Sequence, residues 1–212
     1  MKPILFNTEM VRAILDGRKT TTRRVIKPHY HDDEYGFNVW HNEETKRYVV
    51  EKYDEDERDF EQTRYINSPY EIGDVLYVRE TFCSAYDGEA YFYFADKCTS
   101  REQKKLLDYD DVRWHPSLHM PKEAARIFLK VTDVRVERLQ DITEEQAKSE
   151  GTLPTTTPYI AGKGRTYVQG FGTVWNSTVK KSDIDRYGWN ANPFVWVIEF
   201  ERCEKLLGGD GS

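Results

Sequence analysis

Ile127-Phe128-Leu129-Lys130-Val131-Thr132-Asp133-Val134-Arg135-Val136-Glu137-Arg138-Leu139 is the stretch that decides the fold class. Ile127, Leu129 and Val131 alternate with Phe128, Lys130 and Thr132, the period-two rhythm of a strand with one face in a core. Asp133 breaks the rhythm. Val134 and Val136 restart it one residue out of phase, which predicts a bulge or a bend between two strands. Further strands are expected over 75–80, after the turn Pro69-Tyr70-Glu71-Ile72-Gly73-Asp74, and over 91–95, after the turn signal Asp87-Gly88. A final strand spans Phe194-Val195-Trp196-Val197-Ile198-Glu199-Phe200. These strands do not alternate with long helices, which argues against a doubly wound parallel sheet. The expected class is α+β, a small, mostly antiparallel barrel with short helices plugging its ends.

The helices are few. Thr8 is the expected cap of a helix carrying Met10, Val11, Ile14 and Leu15 on one face, and Gly17 supplies the left-handed residue that ends it. Thr143-Glu144-Glu145-Gln146 reads as a capping box opening a short helix that Gly151 ends. Between the two, residues 18–28 are β-branched and basic and should be extended. The chain reads as one domain over 1–203. Within it, an acidic, exposed insertion is expected at about 29–66, with one short strand possible at Tyr48-Val49-Val50, and a flexible Gly/Thr/Pro loop at about 151–172. Residues 204–212 read as a disordered tail.

Composition narrows the class. The 212 residues carry 31 Lys plus Arg against 37 Asp plus Glu, a formal charge of -6, so indiscriminate coating of nucleic acid is not expected. Aromatics make up 14%, enough for a real core in a small domain. No apolar run approaches the ~18 residues that cross a bilayer. The opening Met1-Lys2-Pro3-Ile4-Leu5-Phe6-Asn7 is too short in apolar residues for a signal peptide. Cys83, Cys98 and Cys203 show no Cys-x-x-Cys spacing, which argues against a disulfide framework or a thiolate zinc site and for a reducing cytoplasm.

Three constellations could carry chemistry. The first, Gly17-Arg18-Lys19-Thr20-Thr21-Thr22-Arg23-Arg24, crowds Arg18, Lys19, Arg23, Arg24 and Lys27 around three hydroxyls just past a helix end. Read plainly it is a solvated basic edge strand. Read sharply, burial and neighbouring cations push Lys19 toward its neutral amine, which can act as a base toward Thr22 or a water. In a straight strand Lys19 and Thr22 point to opposite faces, so that pair needs a bend. The second is Glu150, an anion in the last turn of a helix, where the macrodipole disfavours it by ~0.3–1 kcal/mol. It is a surface residue or a carboxylate held to face a cation. The third is Trp114-His115-Pro116-Ser117-Leu118-His119-Met120-Pro121, where Pro116 breaks the helix that two histidines four apart would need to share a metal. A packed loop with Trp114 or His119 as a stacking or hydrogen-bonding wall is the stronger reading, and no metal or other cofactor is expected.

Taken together, the ordered motifs resemble the ASCH family. They are Leu15-Asp16-Gly17-Arg18-Lys19-Thr20-x-Thr22-Arg23-Arg24, Pro69-Tyr70-x-x-Gly73-Asp74-x-Leu76-x-Val78-Arg79-Glu80 and Pro116-Ser117-x-His119-Met120-Pro121. Leu139-x-Asp141-Ile142-Thr143-x-x-x-Ala147-x-x-Glu150-Gly151 and Asn192-Pro193-x-Val195-Trp196-Val197-Ile198-Glu199-Phe200 complete the set. The resemblance runs over most of Met1 to Glu201 and looks like the larger form carried by phages and prophages. It implies a PUA-like barrel with a cleft for RNA, a nucleotide or a modified base.

A short bacterial member of that family is an amidohydrolase that removes the acetyl group from N(4)-acetylcytidine. Its lysine, threonine and glutamate fall here on Lys19, Thr22 and Glu150, and a shared arginine falls on Arg24. The resemblance thus implies Lys19 as base, Thr22 supplying or orienting the nucleophile, and Glu150 relaying a proton to the departing amine. Arg18, Arg23, Arg24, Tyr77, Glu80, Trp114 and His119 are the candidates for binding substrate, with Arg24 or backbone N–H groups at the oxyanion and Trp114 or Tyr77 stacking the base. Lys122-Glu123 departs from the Arg-Trp that related phage sequences favour, and the acidic insertion is foreign to the short enzyme. A noncatalytic RNA or modified-base reader and a phage accessory or morphogenesis protein are the competing expectations, since fold analogy does not separate chemistry from binding.

Overall fold

The computed structural model describes residues 1–27, 36–45, 47–53, 60–85, 90–96, 113–154 and 166–205. In chain order the elements begin with β1 (Lys2–Leu5), α1 (Thr8–Leu15), β2 (Thr21–Val25), β3 (Gly36–Asn42), β4 (Arg47–Tyr53), β5 (Phe60–Ile66) and β6 (Val75–Arg79). Then come β7 (Phe82–Ala85), β8 (Ala90–Tyr93), β9 (Phe128–Arg138), α2 (Glu144–Ser149), α3 (Tyr167–Thr178), α4 (Ile184–Tyr187) and β10 (Phe194–Cys203). The fold is α+β, with mostly antiparallel sheets and few short helices. The largest sheet has the order β1-β6-β9-β10-β2, and β1–β6 is a parallel pair. Among the described residues no helix is long and apolar enough to cross a membrane.

The chain divides into two compact units, 1–20 with 72–132 and 200–212, and 21–71 with 133–199. β9 is continuous through Asp133, so its two halves are one strand, and the change of rhythm coincides with the first residue of the second unit.

In the first unit, α1 is capped by Asn7 rather than Thr8, because the Asn7 side chain accepts from the Met10 N–H at 2.9 Å. Val11, Ala13 and Ile14 are buried, and Gly17 ends the helix at φ +73, a conformation that costs a residue with a Cβ. β6 follows its predicted turn and pairs antiparallel with the start of β9, Leu76 opposite Leu129. β7 is the antiparallel partner of β8, a pairing that the isolated Tyr91–Ala95 reading lacked. Phe82, Met120, Ala124, Ala125 and Phe128 form a core cluster here.

In the second unit, the region expected to be an exposed insertion is a folded sheet of β3, β4 and β5, all antiparallel. The Asn42 side chain accepts from the Glu44 and Thr45 N–H groups and turns β3 into β4. Val49 and Val50 are fully buried, Tyr48 Oη donates to the Val134 carbonyl at 2.9 Å, and its ring meets Trp196 edge-on. The acidic run 54–57, the Asp87-Gly88 turn and Cys98 lie outside the described residues.

The expected flexible loop at 151–172 is corrected too. Its last six residues open α3, capped by Thr166, which accepts from the Gln169 N–H. Phe171 and Trp175 of α3 join Leu139, Ile142, Ala147, Val195 and Val197 in the second unit's core. A Cβ on Gly172 would sit 3.0 Å from the Trp189 ring, so any larger residue there needs that ring to give way.

Candidate functional site

Lys19 belongs to the first unit and is 2% exposed, an uncommon place for a lysine. The local chain explains the burial. After Gly17 the backbone folds back so that the Arg18 and Lys19 N–H groups both donate to the Ala13 carbonyl, at 2.8 and 3.0 Å. The Lys19 Nζ then lies 5.5 Å from the Phe6 ring centre, a cation over an aromatic face. Arg18 beside it is exposed and pairs with Asp16 at 3.1 Å, a surface contact of small worth.

Thr22, Arg23, Arg24 and Glu150 belong to the second unit. β2 pairs antiparallel with β10, Thr22 opposite Ile198 and Arg24 opposite Trp196. Thr21, Thr22 and Arg23 are all buried, so this strand is covered on both faces rather than forming a solvated edge. The Arg23 side chain is 0% exposed, and its Nη1 meets Glu150 Oε1 at 3.2 Å. Its Nη2 donates to Glu137 at 2.8 Å and to Gln146 Oε1 at 3.2 Å. The network continues from Glu137 to Arg135 at 2.6 Å, and Arg135 also holds Asp133 and Glu199. Burial would lower the Arg135 pKa, but its hydrogen bonds to Glu137, Glu199 and Asp133 outweigh that and raise it.

Glu150 is therefore a carboxylate facing a cation. It is the C-cap of α2, 5% exposed, and the Arg23 guanidinium answers both its desolvation and the helix end's disfavour of an anion. The predicted capping box is present, and it serves twice. Gln146 Oε1 accepts from the Thr143 N–H at 2.9 Å and from Arg23, so the residue that starts the helix also steadies the arginine. Arg24 is half-buried. Burial pushes its guanidinium pKa down, and the nearby Glu150 carboxylate and Tyr70 push it back up.

The remaining candidates lie in the first unit and are committed to packing or solvent. Glu80 is fully buried and held by the Arg126 fork, Oε1 to Nε at 2.9 Å and Oε2 to Nη2 at 3.1 Å. Burial raises the Glu80 pKa above its ordinary 4.5, with Arg126 opposing the rise. Tyr77 packs on the Phe82 cluster, and Trp114 meets Phe94 edge-on at 5.1 Å between ring centres. His119 is exposed in a 3-10 turn over Ser117–His119. His115 bridges by backbone to Phe82, its N–H donating to that carbonyl at 2.7 Å. Among the described residues no three His, Cys, Asp or Glu side chains are placed to hold a metal ion.

Sequence reasoning did not single out Glu137 or Gln146 as partners of Arg23. A capping box beside a β9 glutamate was the available signal. Compared with known proteins, the chain matches no family model, no curated protein and no solved structure.

Proposed function

We propose that the chain is a PUA-like, ASCH-type domain that hydrolyses an acylated cytidine or a related modified nucleoside. The supporting observation is the burial of all three motif positions, Lys19 at 2%, Thr22 at 1% and Glu150 at 5%, in a chain where such groups usually sit in solvent. Buried polar groups of these types are the raw material of acid–base and nucleophilic chemistry.

On this reading the family resemblance gives Lys19 the role of base, once it has shed the proton that its place over the Phe6 ring favours, and gives Thr22, or a water, the role of the group that adds to the acetyl carbonyl. The carbon–nitrogen bond then breaks, the exocyclic amine takes a proton by way of Glu150, and one water ends up in the released acetate. Arg24 steadies the oxyanion. Arg23, enclosed among Glu137, Gln146 and Glu150, is a positioning residue for the carboxylate rather than a hand on the substrate. The reading places the protein in the cytoplasm, where the free thiols of Cys83 and Cys203 would stay reduced.

The test is acetate release from N(4)-acetylcytidine by the wild-type protein and by Lys19→Ala, Thr22→Ala and Glu150→Gln. Lys19→Ala and Thr22→Ala should lose roughly 10²-fold or more in rate with thermal unfolding unchanged in form, and Glu150→Gln somewhat less. Turnover by Lys19→Ala equal to wild type removes the mechanism. No release by wild type, with binding of the modified base retained, leaves the protein a noncatalytic reader.

A further inference from the structure

The second unit contains a cavity of about 310 Å³ beside β2, and its lining is cationic. Arg23, Arg24, Lys27 and Lys180 contribute to it, against one carboxylate among the described lining residues, Asp183, with the Tyr187 ring as part of the wall. The two arginines have their charge answered from inside the unit by Glu150 and Glu137. The two lysines do not. Lys27 and Lys180 are exposed, and neither forms an ion pair with Asp183 or with any other carboxylate among the described residues. Lys27 Nζ lies 5.3 Å from the Tyr187 ring centre, a cation with an aromatic plane at its side. Arg23 adds a second anomaly: its buried Nε donates to no acceptor in the described structure.

A concave surface whose described lining is mostly positive focuses its field on an anion. The volume is about that of ten waters, far more than inorganic phosphate needs, and at the lower end of the ~300–1,000 Å³ range of small-molecule sites. We propose that this cavity takes the phosphate of a nucleotide, so that the protein's substrate is a phosphorylated nucleoside rather than the bare one. The substrate half of that statement rests on the hydrolase reading above; the anion site does not. Lys27 and Lys180 supply the charge, and the Tyr187 ring faces the sugar or base that the phosphate carries.

Isothermal titration with cytidine 5′-monophosphate, cytidine and inorganic phosphate tests the site without any turnover. The monophosphate should bind roughly tenfold more tightly than cytidine, as expected for adding charge-assisted hydrogen bonds, and more tightly than phosphate alone. Lys27→Gln combined with Lys180→Gln should abolish that preference with an unchanged circular dichroism spectrum. Equal affinity for nucleotide and nucleoside, or a preference that survives the double substitution, overturns the site. Phosphate binding as tightly as the monophosphate overturns the nucleotide assignment. Acetate release from N(4)-acetylcytidine and from its 5′-monophosphate separates the two proposals. Equal release from both overturns the substrate inference and leaves the hydrolase reading standing. Lysine-dependent monophosphate binding with no release from either substrate overturns the hydrolase reading and leaves the anion site standing.

Discussion

Each unit of this protein buries a carboxylate against an arginine, and the two pairs are built differently. In the first, Arg126 closes on Glu80 with both ends of its fork, gives its remaining Nη1 to Asp96 at 2.7 Å, and lies 3.8 Å from the centre of the Tyr93 ring. Every polar atom there is matched, and Arg126 keeps 27% of its side chain in solvent. In the second, Arg23 is wholly enclosed, divides its Nη atoms among three acceptors and leaves Nε over. A matched pair at a solvent edge is a fastening. An enclosed arginine with a donor to spare, beside a cationic cavity, holds a carboxylate in a chosen attitude at some energetic cost.

The comparison breaks first at Arg23. Arg23→Ala leaves Glu150, 4% exposed, without its ion-pair partner and takes one of two cations from the part-exposed Glu137, which keeps Arg135, and should cost about 3–5 kcal/mol in urea unfolding. A loss under 1 kcal/mol would show that water reaches those carboxylates and that the enclosure is not real.

The same substitution at the other pair should hurt less, and in a pH-dependent way. Glu80 can respond by taking up a proton, because burial already raises its pKa above 4.5 in the folded state. Without Arg126 the carboxyl loses the partner that opposes the rise, and it folds protonated over a wider range. Below about 4.5 Glu80 is protonated in both states and Arg126→Ala costs least. As pH rises through that value, the unfolded chain ionises first, so the folded state is progressively disfavoured. The expected deficit at pH 7 is about 2 kcal/mol. Urea midpoints of wild type and variant from pH 4 to 8 should diverge as pH rises, and parallel curves would contradict the burial of Glu80.

These two pairs also show how far the sequence could be read. α1 and α2 were legible because apolar spacing and helix ends are local: Thr143 caps α2 as read, α1 begins one residue from its expected cap because Asn7 rather than Thr8 accepts from Met10, and Gly17 and Gly151 close the two helices in the left-handed conformation. The strands of the largest sheet that carry apolar runs were legible for the same reason. α3 was hidden, since Gly170 and Gly172 lower helix propensity and only the distant Trp189 shows why glycine is kept at 172. The β3–β5 sheet was hidden by its charge, its buried Val49 and Val50 being diluted by the charged residues around them in the sequence. Of the site, Glu150 could be marked as an anion out of place at a helix end. Its partner lies 127 residues away, and nothing in local spacing names it.

Gln146 is where the local and the long-range signals meet, and it gives the smallest and most diagnostic effect. As a cap it is one half of a reciprocal pair with Thr143; as a strut it accepts from Arg23 and reaches Glu137 at 3.5 Å. Gln146→Ala removes both roles and should cost about 1 kcal/mol if capping dominates, because Thr143 still accepts from the backbone of residue 146. Gln146→Glu retains the cap and brings a third carboxylate toward Arg23, beside Glu137 and Glu150. If Gln146 serves only the helix, the two variants should differ in stability as alanine and glutamate caps do, and acetate release should be untouched. If it steadies the arginine that holds Glu150, both should lower the release rate, the glutamate variant with a pH profile displaced from wild type. Thermal unfolding and pH–rate profiles measured on the same two proteins decide between a cap and a support.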